Sequence, residues 1–298
     1  MTTSGLATDL EGVRERLNKM FSEESRQAGH AFPATATDVI IATYPKCGTT
    51  MMQQIVHGLR TAGDMDFDEI TQVVPWLETA QDTGIDLRAP QKALPRAFKS
   101  HQTWDEVPKG ARYIYVLRDP KDVAVSFFQF FQGWLFEEGS ITTDAFATEF
   151  LLAGTKSGDY AGHLTSWWHK RNDDDTLMLC YENILVDLPG TVAEVARFCG
   201  IDADAATLEV ATHQAGFQFM REHAHQFDEH PLRAVLNPRA GLPVEAGNSK
   251  VRKGKVGGHK VGLGDETSVI YDRIWDERIA PVTGHLNYES LRAALAAR

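Results

Sequence analysis

Lys46, Gly48, Thr49 and Thr50 stand in the run TYPKCGTT, residues 43–50, a composition poorly suited to packing and well suited to holding an anion. The apolar stretch DVIIA precedes it, and MMQQIVHGL, which reads as helix, follows. At such a strand–loop–helix junction the free amides and dipole of the helix N-terminus favour a phosphate or sulfate. Gly48 lets the backbone come close to that ligand. Thr49 and Thr50 are expected to cap the helix and donate hydroxyls, and Lys46 adds a full charge. The nucleoside-triphosphate loop carries its lysine directly after a second glycine. Here the lysine comes two residues before the glycine, which disfavours a nucleoside triphosphatase. A capped helix with an exposed lysine is the plainer alternative.

A second group lies in LRDPKDVAVSFFQFF, residues 117–131. Arg118 falls at the end of an apolar strand, and Pro120 suits the first turn of a helix. Ser126 follows Arg118 by eight residues, about two helical turns. The pair can converge on a second phosphate, with arginine binding it as a fork. An Arg118–Asp122 ion pair beside a core serine is the competing reading. FKSH, residues 98–101, ends another strand and sends Lys99 and His101 to the same side. Histidine is the usual general base. Finally, KVRKGKVGGHK, residues 250–260, holds five Lys/Arg in eleven residues of an otherwise acidic chain. It reads as an anion-wrapping loop or as a solvated one.

These groups must be positioned by something. Strands are expected over 38–44, 96–101, 112–117 and 176–181. Helices are expected over 9–21, 49–62, 160–171, 188–199 and 204–214, and another carries Val123, Phe127, Phe130 and Trp134. Alternation of this kind implies an α/β fold: a central parallel sheet with helices on both faces. Residues 221–264 show little periodicity and read as an irregular loop region. A last helix is expected around 266–280. No repeat or linker divides the 298 residues, so one domain is expected.

The net charge of −11 argues against a nucleic-acid partner, because phosphate neutralisation needs a basic surface. The three cysteines Cys47, Cys180 and Cys199 form no disulfide pattern. With no apolar leader at the N-terminus and no run long enough to span a membrane, a cytoplasmic protein is expected. His223, His225 and His230 match no ordinary zinc spacing and have no cysteine nearby, so no metal is assigned to them. Phe127, Phe128, Phe130, Phe131 and Trp134 read mostly as core, with one or two lining an apolar acceptor pocket. Trp167 and Trp168 read as packing residues.

Taken together the motifs resemble those of the cytosolic sulfotransferases. TYPKCGTT is similar to their 5′-phosphosulfate loop TYPKSGTT, with Cys47 for serine. RDPKDVAVSFF resembles their 3′-phosphate motif R-x-P-K-D-x-x-x-S, FKSH their K-[TS]-H, CYEN their Y-E-D, and RKGKVGGHK their R-K-G-x-x-G-D-W-K. The motifs run in the family's order from residue 43 to 260. The resemblance implies transfer of a sulfuryl group from 3′-phosphoadenosine 5′-phosphosulfate (PAPS) to a hydroxyl, on a small apolar alcohol or phenol or on a glycolipid. It implies that Lys46, Cys47, Gly48, Thr49 and Thr50 hold the 5′-phosphosulfate. Arg118 and Ser126 hold the 3′-phosphate, with Arg252, Lys253 and Gly254 closing over it. Tyr181 meets adenine, Met51 takes the place of an adenine-stacking residue, and Phe217 belongs to the cofactor-binding set. His101 takes the acceptor proton, while Lys46 and Lys99 stabilise the transferring group without a metal.

Four positions depart from the family: Met51 for an adenine-stacking tryptophan, Ala215 for a cofactor-binding Ser/Thr, GGH for GDW at 257–259, and KVGLGDETSV for the dimerisation motif. The last leaves the oligomeric state unassigned. A P-loop kinase and a non-catalytic nucleotide-binding module are the other functional readings.

Overall fold

The structure is a computed structural model that describes residues 5–155, 157–248, 250 and 256–297. Four strands, β1 (Val39–Thr43), β2 (Ala97–Ser100), β3 (Arg112–Leu117) and β4 (Thr176–Cys180), form an all-parallel sheet in the order β2-β1-β3-β4. The registers pair Ile41 with both Lys99 and Ile114, and Leu117 with Cys180.

β1, β2 and nearly all of β3 are buried on both faces, which is why β1 reads as an unbroken apolar run, while one face of the edge strand β4 is only partly covered. Val39, Ile41, Ala97, Ile114 and Val116 pack into one core, with Met52, Ile55 and Leu59 of the helix Thr49–Thr61 and Val192 and Val195 of the helix Leu188–Cys199. Ile40, Ala42, Phe98, Tyr113 and Tyr115 pack into another, with Trp167, Trp275 and Leu291. A third core is built from Phe127, Phe128, Phe131, Trp134, Phe146 and Phe150 beside the sheet.

The elements begin and end where side chains satisfy the backbone. Asp119 accepts the Lys121 amide at the head of the helix Pro120–Phe131, where Pro120 is pre-set for the first turn. Asp159 and Asp187 serve the helices Tyr160–Trp168 and Leu188–Cys199 in the same way. Such a cap contributes about 1 kcal/mol.

Two expectations are corrected. Residues 221–264 are not simply irregular, because a ten-residue helix, His230–Arg239, runs through them. Pro231 sits in its first turn, and Leu232 and Leu236 are buried one turn apart. Pro238 obscures that short signal in the sequence, yet near the helix end it is tolerated. Likewise the helix expected around 266–280 is not the last. It runs as Asp265–Ile274 with a wider turn over Trp275–Ile279, and a further helix, Tyr288–Ala296, follows. Asn287 and Ser290 form its capping box, and Tyr288 and Leu291 fasten it to the core.

Among the described residues no helix is long and apolar enough to cross a membrane.

Candidate active site

From β1 the chain turns to pair β2 on one side, and then returns to place β3 on the other. The switch point of a parallel sheet, where crevices form, therefore lies between the carboxyl ends of β1 and β3. The loop after β1 carries Lys46 and Gly48; the residue after β3 is Arg118. A cavity of about 540 Å³ opens there. Lys46, Gly48, Thr49, Thr50, Met51, Lys99, His101, Arg118, Ser126, Tyr181 and Phe217 all line it.

The loop is unusually bent. Lys46 has φ +72° and Gly48 φ +101°. A lysine in the left-handed region carries strain of the kind kept at functional sites. Gly48 is needed for a second reason, since a Cβ there would lie 2.6 Å from the Tyr181 ring. Gly48, not Thr49 or Thr50, is the N-cap of the helix Thr49–Thr61, and no side chain caps that helix. The expected threonine caps are thus corrected, and the uncapped amides suit an anion. Thr49 turns inward instead, its hydroxyl 2.6 Å from that of Thr43.

Cys47 is the exception among the loop residues. Its thiol is fully buried in the core beside Tyr44 and Val123, and burial pushes it far above the usual thiol range. It can offer a ligand only its backbone. Arg252, Lys253 and Gly254 lie outside the described residues.

Arg118 stacks over Tyr181 at 4.6 Å, donates to the Lys46 carbonyl at 3.2 Å, and lies 3.6 Å from the Asp122 carboxylate. The ion pair and the cavity placement of Arg118 therefore coexist. Asp122 also receives the amides of Gly257 and His259 and the His259 ring, at 2.7, 3.0 and 2.8 Å. The histidine of GGH thus ties its segment to the helix of the second motif.

His101 is set by its surroundings. Its Nδ1 lies 2.8 Å from the Thr43 carbonyl oxygen. A carbonyl only accepts, so Nδ1 carries the proton and Nε2 keeps its lone pair. Burial, and then the charge of Lys99, holds the imidazole well below its usual pKa and so neutral. The Glu78 Oε1 accepts the His101 amide at 2.6 Å and the Ser100 hydroxyl at 3.1 Å. Burial raises Glu78 to about 7.

Lys99 and Lys46 are held differently. Lys99 Nζ lies 2.5 Å from Glu229 Oε1 and 3.9 Å from the centre of the Trp76 ring. Lys250 pairs with the same Glu229 oxygen. Two lysines sharing one buried carboxylate hold it well below the usual range, against the burial that would raise it. Lys46 Nζ sits 3.8 Å over Phe130. Burial, and then repulsion from Lys250, keeps it well below the usual lysine range.

Glu229, Lys250, Glu78 and Trp76 line the cavity and were not among the site residues read from sequence. Lys250 lay in the basic run. For Glu229 nothing local signals a role, since its partners are distant in the chain. The aromatic expectation is exceeded: Phe127, Phe130, Phe131 and Trp134 all line the cavity, while Phe128 stays in the core. Trp167 and Trp168 pack against the sheet as expected.

Two strand-end loops that offer amides and fixed cations to one cavity, beside a neutral histidine, define a group-transfer site for an anionic donor. The chain belongs to the sulfotransferase domain family, whose profile matches residues 36–283, and its activity is PAPS-dependent sulfuryl transfer. It is 32% identical to sulfotransferase 4A1 of Homo sapiens over 71% of this chain and 75% of that one. It is 27% identical to sulfotransferase 1B1 of Mus musculus over 85% and 86%. In fold it is similar to retinol dehydratase in a complex with retinol and PAP, with a TM-score of 0.69, 19% identity, and 91% and 95% of the two chains covered.

Proposed function

We propose that His101 is the general base for a hydroxyl on a small, largely apolar alcohol or phenol. The acceptor oxygen bonds to sulfur as its proton passes to His101 Nε2. The sulfur–oxygen bond to the 5′-phosphate breaks, and the bisphosphate leaves. The observation that carries this role is the His101 Nδ1–H bond to the Thr43 carbonyl, which leaves Nε2 as the basic atom.

The residues present fit the donor. Lys46, Gly48, Thr49 and Thr50 take its 5′ end, with Cys47 contributing its amide. Arg118 and Ser126 take its 3′-phosphate, joined by Arg252, Lys253 and Gly254. Tyr181, Phe217 and Met51 enclose the adenine; a methionine there packs on a ring edge rather than stacking. Lys46 and Lys99 neutralise charge on the transferring group, the electrostatic contribution that dominates such transfers. Phe127, Phe130, Phe131, Trp134 and Trp76 supply walls for an apolar acceptor, and Glu78 is the polar group next to His101. A glycolipid's sugar hydroxyl is the second acceptor class. Cytoplasmic residence and one domain over residues 1–298 belong to the same reading; the three described cysteines are free and buried.

The test is a labelled-sulfate transfer screen across phenols, sterols, sugars and glycolipids. Transfer to apolar hydroxyls that persists in EDTA supports the proposal. Transfer confined to glycolipids moves the acceptor to the second class, and transfer only to free sugars, or a requirement for Mg²⁺ and ATP, overturns the proposal.

A further inference from the structure

Outside the cavity, Asp68, His225 and His230 bring one ligand atom each within 4.8 Å of the others. Asp68 lies more than 150 positions before the two histidines, so no sequence spacing could announce the group. None of the three lines the active-site cavity. His230 Nε2 lies 2.8 Å from Asp68 Oδ2, and His225 Nε2 lies 3.5 Å from Asp68 Oδ1. The imidazoles stack in parallel, 4.0 Å apart at 11°, so the exposed His225 ring must turn to bring both lone pairs onto one ion.

We propose that Asp68, His225 and His230 form a binding site for Zn²⁺ or a similar late first-row divalent ion. Two imidazoles and one carboxylate, with water in the fourth position, match what zinc accepts. Imidazole donors disfavour Mg²⁺ and Ca²⁺. The surroundings support a ligand role for His230. Its other nitrogen, Nδ1, lies 2.7 Å from Asp228 Oδ1, the carboxylate–histidine arrangement that fixes a metal-bound ring. His223 takes no part; it stacks on Phe219 and faces that residue's carbonyl.

The site has a structural purpose. It would join the segment before Ile70 to the turn before the helix His230–Arg239. Those segments already meet: Gln226 donates to the Met65 and Phe67 carbonyls, and Glu69 accepts the Glu229 amide at 3.3 Å. Glu229, flanked by Asp228 and His230, stands at φ +60° and holds Lys99 in the cavity. A bound ion would therefore stiffen the backbone that carries the partner of Lys99.

The test is calorimetric titration of untagged, chelator-stripped full-length protein with ZnCl₂, with no nucleotide present. One saturable site per chain is expected, with a melting temperature raised by about 5 °C at a hundredfold excess over Kd. His225→Ala should weaken binding at least about tenfold without lowering the metal-free melting temperature, because that imidazole is 68% exposed. Asp68→Asn should do the same, and His213→Ala should change nothing. Absence of saturable heat overturns the proposal. So does equal affinity in His225→Ala and Asp68→Asn, or binding of Mg²⁺ as tight as Zn²⁺. None of these readouts depends on sulfuryl transfer.

Discussion

His101 donates its Nδ1 proton to the carbonyl of Thr43, 2.8 Å away, so the β2 end takes its histidine's tautomer from the β1 end. Those strands are neighbours in register, with Ala42 opposite Ser100. The base and the anion-binding loop are thus one rigid unit, and the loop begins at the residue after the carbonyl that orients the base.

His101→Ala is expected to lower kcat by about 10² to 10⁴. Affinity for adenosine 3′,5′-bisphosphate should stay within a few-fold, since no phosphate contact is removed. Steady-state transfer assays and product-binding calorimetry separate the two effects. Near-normal turnover removes His101 from the mechanism.

Lys46→Ala should weaken product binding by roughly 10- to 100-fold, the loss of one charge-assisted contact of about 1.5–3 kcal/mol. It should also lower kcat. A variant with unchanged KM and kcat shows that Lys46 touches neither donor nor transition state.

Gly48→Ala should damage binding through the backbone. The φ of +101° costs a non-glycine residue about 1–3 kcal/mol, and the new Cβ meets Tyr181 at 2.6 Å. A lowered melting temperature and weaker bisphosphate binding are expected together. A variant that melts and binds like the parent contradicts the cradle.

Much of this was legible in the sequence, and what was not has physical causes. β1 and β3 were readable because strands buried on both faces are apolar throughout, and both anion loops follow directly from them. Lys46, Arg118, Ser126 and His101 were readable because each sits at a fixed offset from a strand end. Glu229 was not: its role depends on Lys99, 130 residues earlier, and on Lys250. The helix His230–Arg239 buries too few apolar residues to show a period in the sequence. Cys47 shows another limit: its place in the motif does not tell whether thiol or backbone faces the ligand, and the structure buries the thiol, leaving the amide.

Glu229→Gln tests that long-range link. Two buried lysines would lose their shared counter-charge, at a cost of about 3 kcal/mol or more. Thermal melts should show a drop of several degrees, and kcat should fall as Lys99 loses its anchor. Unchanged stability places Lys99 and Lys250 in water rather than in the buried network.

The pH dependence follows from the directions of two shifts. His101 works as a neutral base and its pKa is depressed, so kcat/KM should stay level as pH falls from 7 to 6.5 and decline only in more acid solution. Lys250 is lowered by burial to about 8. Bisphosphate affinity should therefore fall as pH rises through that value and the cavity loses a cation. An acid limb centred at or above 6.5, or affinity rising between pH 7 and 9, contradicts the assignments.

If the ends of β1 and β3 together grip one doubly phosphorylated adenosine, Lys46 and Arg118 must each hold part of it. Calorimetry with adenosine 3′,5′-bisphosphate on the parent protein, Lys46→Ala and Arg118→Ala tests it most directly. One molecule bound per chain is expected, with each substitution weakening it at least about tenfold. No heat from the parent, or equal affinity in all three proteins, contradicts it.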